Sequence, residues 1–237
     1  MTHPYRIFSL GDGALTIDLG NTISEQYNRK VLAMQHWLEH HPFTGLLDII
    51  PAYSSLTVLY DPIMVKKQYL IAGTVAAWVS GQLENAFRDS GEQMPVAAVT
   101  VEIPVCYDNQ TGMDLDAMAR QKKLSAEELI RLHTAVLYRV YMIGFLPGFS
   151  YLAEVDPLLV TPRKARPVSV LPGSIGIAGA QTGIYPLGSP GGWNIIGRTP
   201  VKLFDPSSPG VVKLKAGDNV RFYAITLEEF NHLENTN

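Results

Sequence analysis

Apolar positions along the amino-terminal part of the chain change period several times, and each change predicts an element. Tyr5–Leu10 and Ala14–Leu19 read as two strands around Gly11-Asp12-Gly13, since Asp-Gly between apolar-rich runs is a strong hairpin cue. Thr22 and Glu25 have capping-box spacing, after which Tyr27, Val31, Met34 and Leu38 recur at helical intervals until Pro42. Leu46–Pro51 and Leu56–Tyr60 read as another strand pair. Asp61-Pro62 then supplies a cap followed by a proline whose missing N–H costs nothing at a helix start. The pattern predicts one helix from there towards Phe87, weakened by Gly73 and Gly81. Strand-strand-helix thus occurs twice, which predicts a small α/β layer domain over residues 1–90, with the look of an internal pseudo-repeat. Arg88–Met94 reads as a linker.

In residues 91–237 the punctuation is denser. Val96–Val105 alternates as a strand, Asp114–Lys122 and Ser125–His133 predict two short helices, and Thr134–Phe145 is strand-like. Short apolar segments separated by Gly and Pro follow, with a Gly217-Asp218 turn before a last strand, and Leu227–Asn237 reads as a polar tail with at most one helical turn. Many short, regularly punctuated strands predict a β-barrel or sandwich, and the chain as a whole is of the α+β class.

Composition narrows the function. Of 237 residues, 46% are hydrophobic and 17% charged, which fits a globular protein with a core. A net charge of −3 argues against a general nucleic-acid binder. The one cysteine, Cys106, excludes an intrachain disulfide and a multi-cysteine metal site, and no metal is expected. The amino terminus lacks a signal-peptide pattern, and no apolar run has the length of a membrane span, so the cytoplasm is the expected compartment.

One stretch stands apart. Gly144–Pro200 is 57 residues long and holds 10 of the 20 glycines and 8 of the 16 prolines, interleaved with Phe145, Phe149, Tyr151, Tyr185 and Trp193. Disordered segments lack so much apolar side chain, so an ordered, turn-rich region is expected, with backbone shapes that Gly and Pro allow. From Pro157 to Phe204 there is no Asp or Glu, while Arg163, Lys164, Arg166, Arg198 and Lys202 contribute +5. A basic, turn-rich zone on an acidic protein points to a site for a small anion such as a carboxylate or phosphate.

Several segments carry a family resemblance: His133, YRVYMIGFLPGFSYL (138–152), Pro162-Arg163, Arg166-Pro167, LPGSIGIAGAQTGIYP (171–186), SPGGWNIIGRTP (189–200), LFDP (203–206) and AGD (216–218). The chain resembles the family called allophanate hydrolase subunit 1, which includes the B component of bacterial ATP-dependent 5-oxoprolinase and KipI, an inhibitor of a sporulation histidine kinase. The resemblance implies a cyclophilin-like barrel after the amino-terminal domain. It also implies a hydrolase that opens the lactam of 5-oxo-L-proline to L-glutamate with ATP cleavage, active only with subunits A and C. Inhibition of a histidine kinase and allophanate-type amide hydrolysis are the alternatives it leaves open.

Under that resemblance Arg163, Arg166 and His133 are the catalytic candidates. The two arginines are either an anion clamp or solvated surface charge, and His133 is either an acid/base group or a cap on helix carbonyls. Gln181, Thr182, Tyr185, Gly191, Gly192, Trp193 and Arg198 are the candidate substrate contacts. Each has a purely structural alternative in a Gly-rich β region. Phe145 is expected in the core, Phe149 nearer the surface, and Cys106 as a buried strand residue. His36, His40 and His41 share one helix without a pattern that completes a metal site. No P-loop or convincing dinucleotide turn occurs, so any ATP bound here is held otherwise or by a partner.

Overall fold

A computed structural model describes residues 4–91, 98–207 and 212–236. The chain divides into two compact units, Met1–Ala97 and Ala98–Asn237. In the first, strands β1 (Arg6–Ser9) and β2 (Ala14–Asp18) form the expected hairpin, followed by helix α1 (Glu25–His40), strands β3 (Leu46–Pro51) and β4 (Ser55–Tyr60), and helices α2 (Pro62–Tyr69) and α3 (Val75–Asp89). The sheet is antiparallel, in the order β1-β2-β4-β3. Its period-two alternation turns Leu15, Ile17, Leu56 and Val58 inward, against Val31, Met34 and Leu38 of α1 and Val79 and Leu83 of α3. Each such side chain, almost fully buried, contributes roughly 1.5–3 kcal/mol.

Two sequence expectations need correction here. Helix α1 is capped by extended Ser24, without a side-chain hydrogen bond, so Thr22 lies outside the helix frame. The single helix expected from Asp61 is two. Leu70 turns left-handed at φ 47° and ends α2, and Thr74 Oγ1 accepts the Ala77 N–H to start α3, with Gly73 in the break. Arg88 and Asp89 of the expected linker belong to α3, while residues 92–94 lie outside the described residues.

The second unit comprises β5 (Thr100–Cys106), α4 (Leu115–Lys122), α5 (Ala126–Thr134), β6 (Leu137–Ile143), β7 (Ser150–Ala153), β8 (Val168–Val170), β9 (Ser174–Ala178), β10 (Gln181–Ile184), β11 (Ser189–Gly191), β12 (Asn194–Arg198), β13 (Asn219–Ile225) and α6 (Leu227–Thr236). Seven strands close a barrel in the order β10-β7-β6-β13-β5-β12-β9, with β13 and β5 parallel, while β8 and β11 pair separately. The mixed α+β class and the barrel agree with the sequence. Val105, Tyr138, Val140, Leu152, Ile177, Ile184 and Phe222 fill the interior, together with Leu129 of α5 and Met118 of α4. The tail departs from expectation. Instead of one turn it forms α6, opened by a reciprocal capping box between Thr226 and Glu229 and anchored by buried Phe230. Among the described residues no helix is long and apolar enough to cross a membrane.

Candidate functional site

The glycine-rich segment builds a second, smaller apolar cluster on the outside of the barrel. Along β10, Thr182 points inward opposite Leu152 and Ile177, while Gly183 lies opposite Tyr151 and Gly176 on the outer face. There Phe149, Tyr185 and Trp193 pack edge to face, with Phe149 4.9 Å from Tyr185 and 5.5 Å from Trp193 between ring centroids. Glycine is what lets these rings sit flat on the sheet. A Cβ at Gly183 would stand 2.9 Å from both the Trp193 ring and the Ser150 carbonyl, and one at Gly191 only 2.6 Å from the Tyr185 hydroxyl.

Beside these rings lie two adjoining hollows, of about 150 Å³ and 340 Å³, which share Tyr151, Arg163 and Trp193. Gly191 and Gly192 line the first and Gln181 the second. The guanidinium of Arg163 runs alongside Gly192, whose missing Cβ would lie 3.7 Å from Arg163 Nε. Residues on both sides of Arg163 are tied down. The Asn194 amide donates to the Pro162 carbonyl at 3.0 Å, and the Lys164 N–H donates to the Gly192 carbonyl at 2.8 Å. Lys164 Nζ reaches Asp114 at 2.6 Å, and the same carboxylate oxygen accepts the Ile195 N–H at 2.7 Å. Arg163 is therefore an exposed cation on a pinned loop.

Its charge reaches both phenols of the cleft. Burial raises the pKa of Tyr151 and of Tyr185, and nearby Arg163 opposes the rise in each; at Tyr185 the Trp193 backbone N–H opposes it as well. Both phenols thus stay protonated near neutral pH. Such an arrangement offers a small anion a planar bidentate donor against aromatic walls.

Of the residues singled out in the sequence, Arg163, Gln181, Tyr185, Gly191, Gly192 and Trp193 come together here. His133 and Thr182 do not. Both are fully buried inside the barrel, where the Tyr107 hydroxyl meets His133 Nδ1 at 2.8 Å and His133 Nε2 meets Thr182 Oγ1 at 3.0 Å. Thr182 in turn donates to the Gly176 carbonyl, which fixes the direction of the chain: Tyr107 donates to Nδ1, and Nε2–H donates to Thr182. The imidazole stacks on Phe222 at 4.9 Å, and burial lowers its pKa to about 3. Its ring does not cap helix carbonyls, although it lies in the last turn of α5.

The cationic zone is likewise divided. Arg198 pairs with Glu234 at 2.6 Å, donates to the Pro172 carbonyl and lies over the Phe230 ring, so it holds α6 to the barrel. Arg166 is exposed and is not among the residues that line either hollow. The two phenylalanines exchange their expected places: Phe149 is buried and Phe145 is 63% exposed at the cleft. Sequence reasoning assigned Tyr151 no substrate role and passed over Tyr107 altogether; period-two alternation with Phe149 was the available signal for Tyr151. Cys106 is buried as expected. Among the described residues no group of three or more His, Cys, Asp or Glu is placed to hold a metal ion.

Comparison with known proteins places this geometry in a family. The family model described as carboxyltransferase domain, subdomain C and D, matches residues 5–213. The 5-oxoprolinase B component of Bacillus subtilis (strain 168) is 42% identical over 234 residues, covering 98% of this chain and 97% of that protein. In the crystal structure of a protein called TTHA0988, a region 40% identical superposes with a TM-score of 0.76; it covers 90% of this chain, which spans only 40% of that longer protein. The Kluyveromyces lactis urea amidolyase shares the fold, with a TM-score of 0.78 at 16% identity over 98% of this chain and 15% of its own. With most of its length matched by the model and a full-length relative above 40% identity, the chain belongs to the carboxyltransferase domain family, subdomain C and D.

Proposed function

We propose that this chain is the B component of an ATP-dependent 5-oxoprolinase, a hydrolase that opens the lactam of 5-oxo-L-proline to L-glutamate together with subunits A and C. The observation that carries the reading is the end-to-end identity with a 5-oxoprolinase B component. The cleft gives it a chemical form. The substrate is a small ring with one carboxylate; Arg163 takes the carboxylate through two parallel hydrogen bonds, with the aromatic walls beside it. Tyr151, partly exposed and kept protonated, acts as a donor towards the substrate's oxygens, while fully buried Tyr185 backs the wall. His133, neutral and enclosed, positions β10 rather than exchanging protons with substrate. ATP supplies the driving force for opening a poorly electrophilic amide. The hollows at Arg163 suit a small ring better than a nucleotide, whose size calls for a site towards the upper end of the usual 300–1,000 Å³. We assign ATP to a site of the assembled complex other than this cleft.

The test is reconstitution. The purified chain, subunits A and C, ATP and 5-oxo-L-proline together should yield glutamate, and omission of this chain should abolish it. Arg163→Ala should lower kcat/KM about 100-fold, equivalent to about 2.7 kcal/mol, while stability moves by less than about 0.5 kcal/mol because the side chain is exposed. Arg163→Lys should recover only part, lacking the planar fork. No glutamate from the complete mixture would sink the assignment; wild-type turnover in Arg163→Ala would remove Arg163 from it.

A further inference from the structure

The loop joining β6 to β7 bends in a way that a bulky residue resists. The Leu146 N–H donates to the Gly144 carbonyl at 2.9 Å, closing a three-residue turn around Phe145, whose φ is +70°. A γ-turn of that hand is rare and strained, and a side chain in the left-handed region persists only where its surroundings enforce it. They do so here. The Gly144 N–H donates to the Phe149 carbonyl at 3.1 Å, and the Phe149 N–H to the Leu146 carbonyl at 3.0 Å. Gly148, at φ +82°, packs so closely that a Cβ would stand 3.1 Å from Phe204 Cβ. The enforced conformation leaves the Phe145 side chain 63% exposed, its ring meeting the Phe149 edge at 5.7 Å, and it lines the same hollow as Arg163, Gly191 and Gly192. Glycine would take this backbone shape at no cost. A strained phenylalanine at the mouth of a cleft needs a reason outside folding.

We infer that Phe145 is a specificity-determining residue of this cleft: its ring is the apolar wall against which the ring face of a small cyclic carboxylate lies while Arg163 holds the carboxylate. The inference rests on the carboxylate reading of the cleft given above. It also accounts for discrimination between substrate and product. Hydrolysis opens the lactam into a chain with an ammonium and a second carboxylate; the open chain no longer lays a ring face on the phenyl, and the new carboxylate is repelled by the negative face of that ring. Exposed Pro167 and Pro190 line the same hollow and add no charge. The wall thus favours the closed ring and helps expel the opened chain.

The experiment uses the assembled complex without ATP, titrated calorimetrically with 5-oxo-L-proline, with cyclopentanecarboxylate as an unreactive ring, and with L-glutamate. The wild type should bind both rings more tightly than glutamate. Phe145→Ala should weaken both rings about 10-fold, the usual scale for losing one apolar contact surface, and barely change glutamate. In turnover it should raise KM by the same factor, with kcat within about 2-fold. Phe145→Leu should restore most of the ring binding. Phe145→Gly should lose ring binding like Phe145→Ala yet melt higher than it, because the backbone strain is gone; a merely structural role would not give that divergence. Unchanged ring binding in Phe145→Ala, or a wild type that binds neither ring, overturns the inference. Loss of complex assembly in Phe145→Ala also overturns it and assigns the ring to subunit docking. A complex that binds both rings but forms no glutamate defeats the proposed function while supporting the wall.

Discussion

Strand β10 presents two faces, and the polar groups on them are in opposite states. Inward, Tyr107, His133 and Thr182 form a closed series of hydrogen bonds that ends on the Gly176 carbonyl, with His133 and Thr182 fully buried and Tyr107 partly so. Outward, one residue along, Gly183 lies under the rings that wall a cleft whose cation, Arg163, stays exposed on a pinned loop. Inside the barrel, polarity is tolerated because it is neutral and satisfied. Outside, charge is held ready because the loop around it, not the guanidinium, carries the structural hydrogen bonds. Side-chain chemistry alone does not separate a histidine from an arginine as a candidate catalyst; the face of the strand does.

The harshest way to break this contrast is to fill the outer face. Gly183→Val would drive its side chain into the Ser150 carbonyl, Trp193 and Phe149, each within about 3 Å of the first added carbon. Overpacking of that kind costs about 3 kcal/mol or more, which for a chain of this size lowers Tm by roughly 6–12 °C. The cleft should be lost with it. A Gly183→Val protein that melts like wild type would show that the aromatic wall does not depend on that glycine.

His133→Gln attacks the inner face and should cost about 2–3 kcal/mol, since Tyr107 and Thr182 each lose a buried partner. Folded protein should still support turnover at low temperature. The pH dependence sharpens the point. Burial depresses the imidazole pKa from 6.5 to about 3, so the unfolded chain binds a proton that the folded one refuses. Stability from this group is complete above pH 6.5 and is lost as pH falls towards 3, with a slope of about 1.4 kcal/mol per pH unit. Denaturant melts between pH 4 and 7 should show a flatter slope in His133→Gln by that amount. An equal slope in the two proteins would mean that the folded imidazole titrates like a free one, and a stable variant without turnover would place His133 in the chemistry.

Much of this organisation was legible in the sequence, and the gaps have physical causes. The Asp-Gly hairpin and the Asp61-Pro62 helix start work through local hydrogen bonds, and both form. Helix α6 also had its local signal, the Thr226–Glu229 box, but tail composition obscured it. Phe145 and Phe149 come out in the reverse of the expected order, because which of them is buried depends on a turn at positive φ that glycine spacing alone does not fix. The count of positive charges between Pro157 and Phe204 located a basic segment correctly, yet a charge count carries no partner. Glu234 and Asp114, which neutralise Arg198 and Lys164, lie outside that segment and reach it only through the fold.

That division of cations makes the mildest prediction. The Arg198–Glu234 pair is partly solvated, with side chains 22% and 41% exposed, so Glu234→Ala should cost about 0.5 kcal/mol, and less in high salt. Arg198→Ala should cost more, about 1–2 kcal/mol, because the bond to the Pro172 carbonyl and the packing over Phe230 go too. Neither substitution should change kcat/KM of the assembled complex, whereas Arg163→Ala should. The asymmetry follows from geometry: a guanidinium already engaged by a carboxylate, a carbonyl and an aromatic face has little left to offer a ligand, while one lying along Gly192 beside two protonated phenols does. Should Arg198→Ala remove turnover from a stable protein, the basic segment would act as one receptor, and the outer face of the barrel would extend further along β12 than the present cleft.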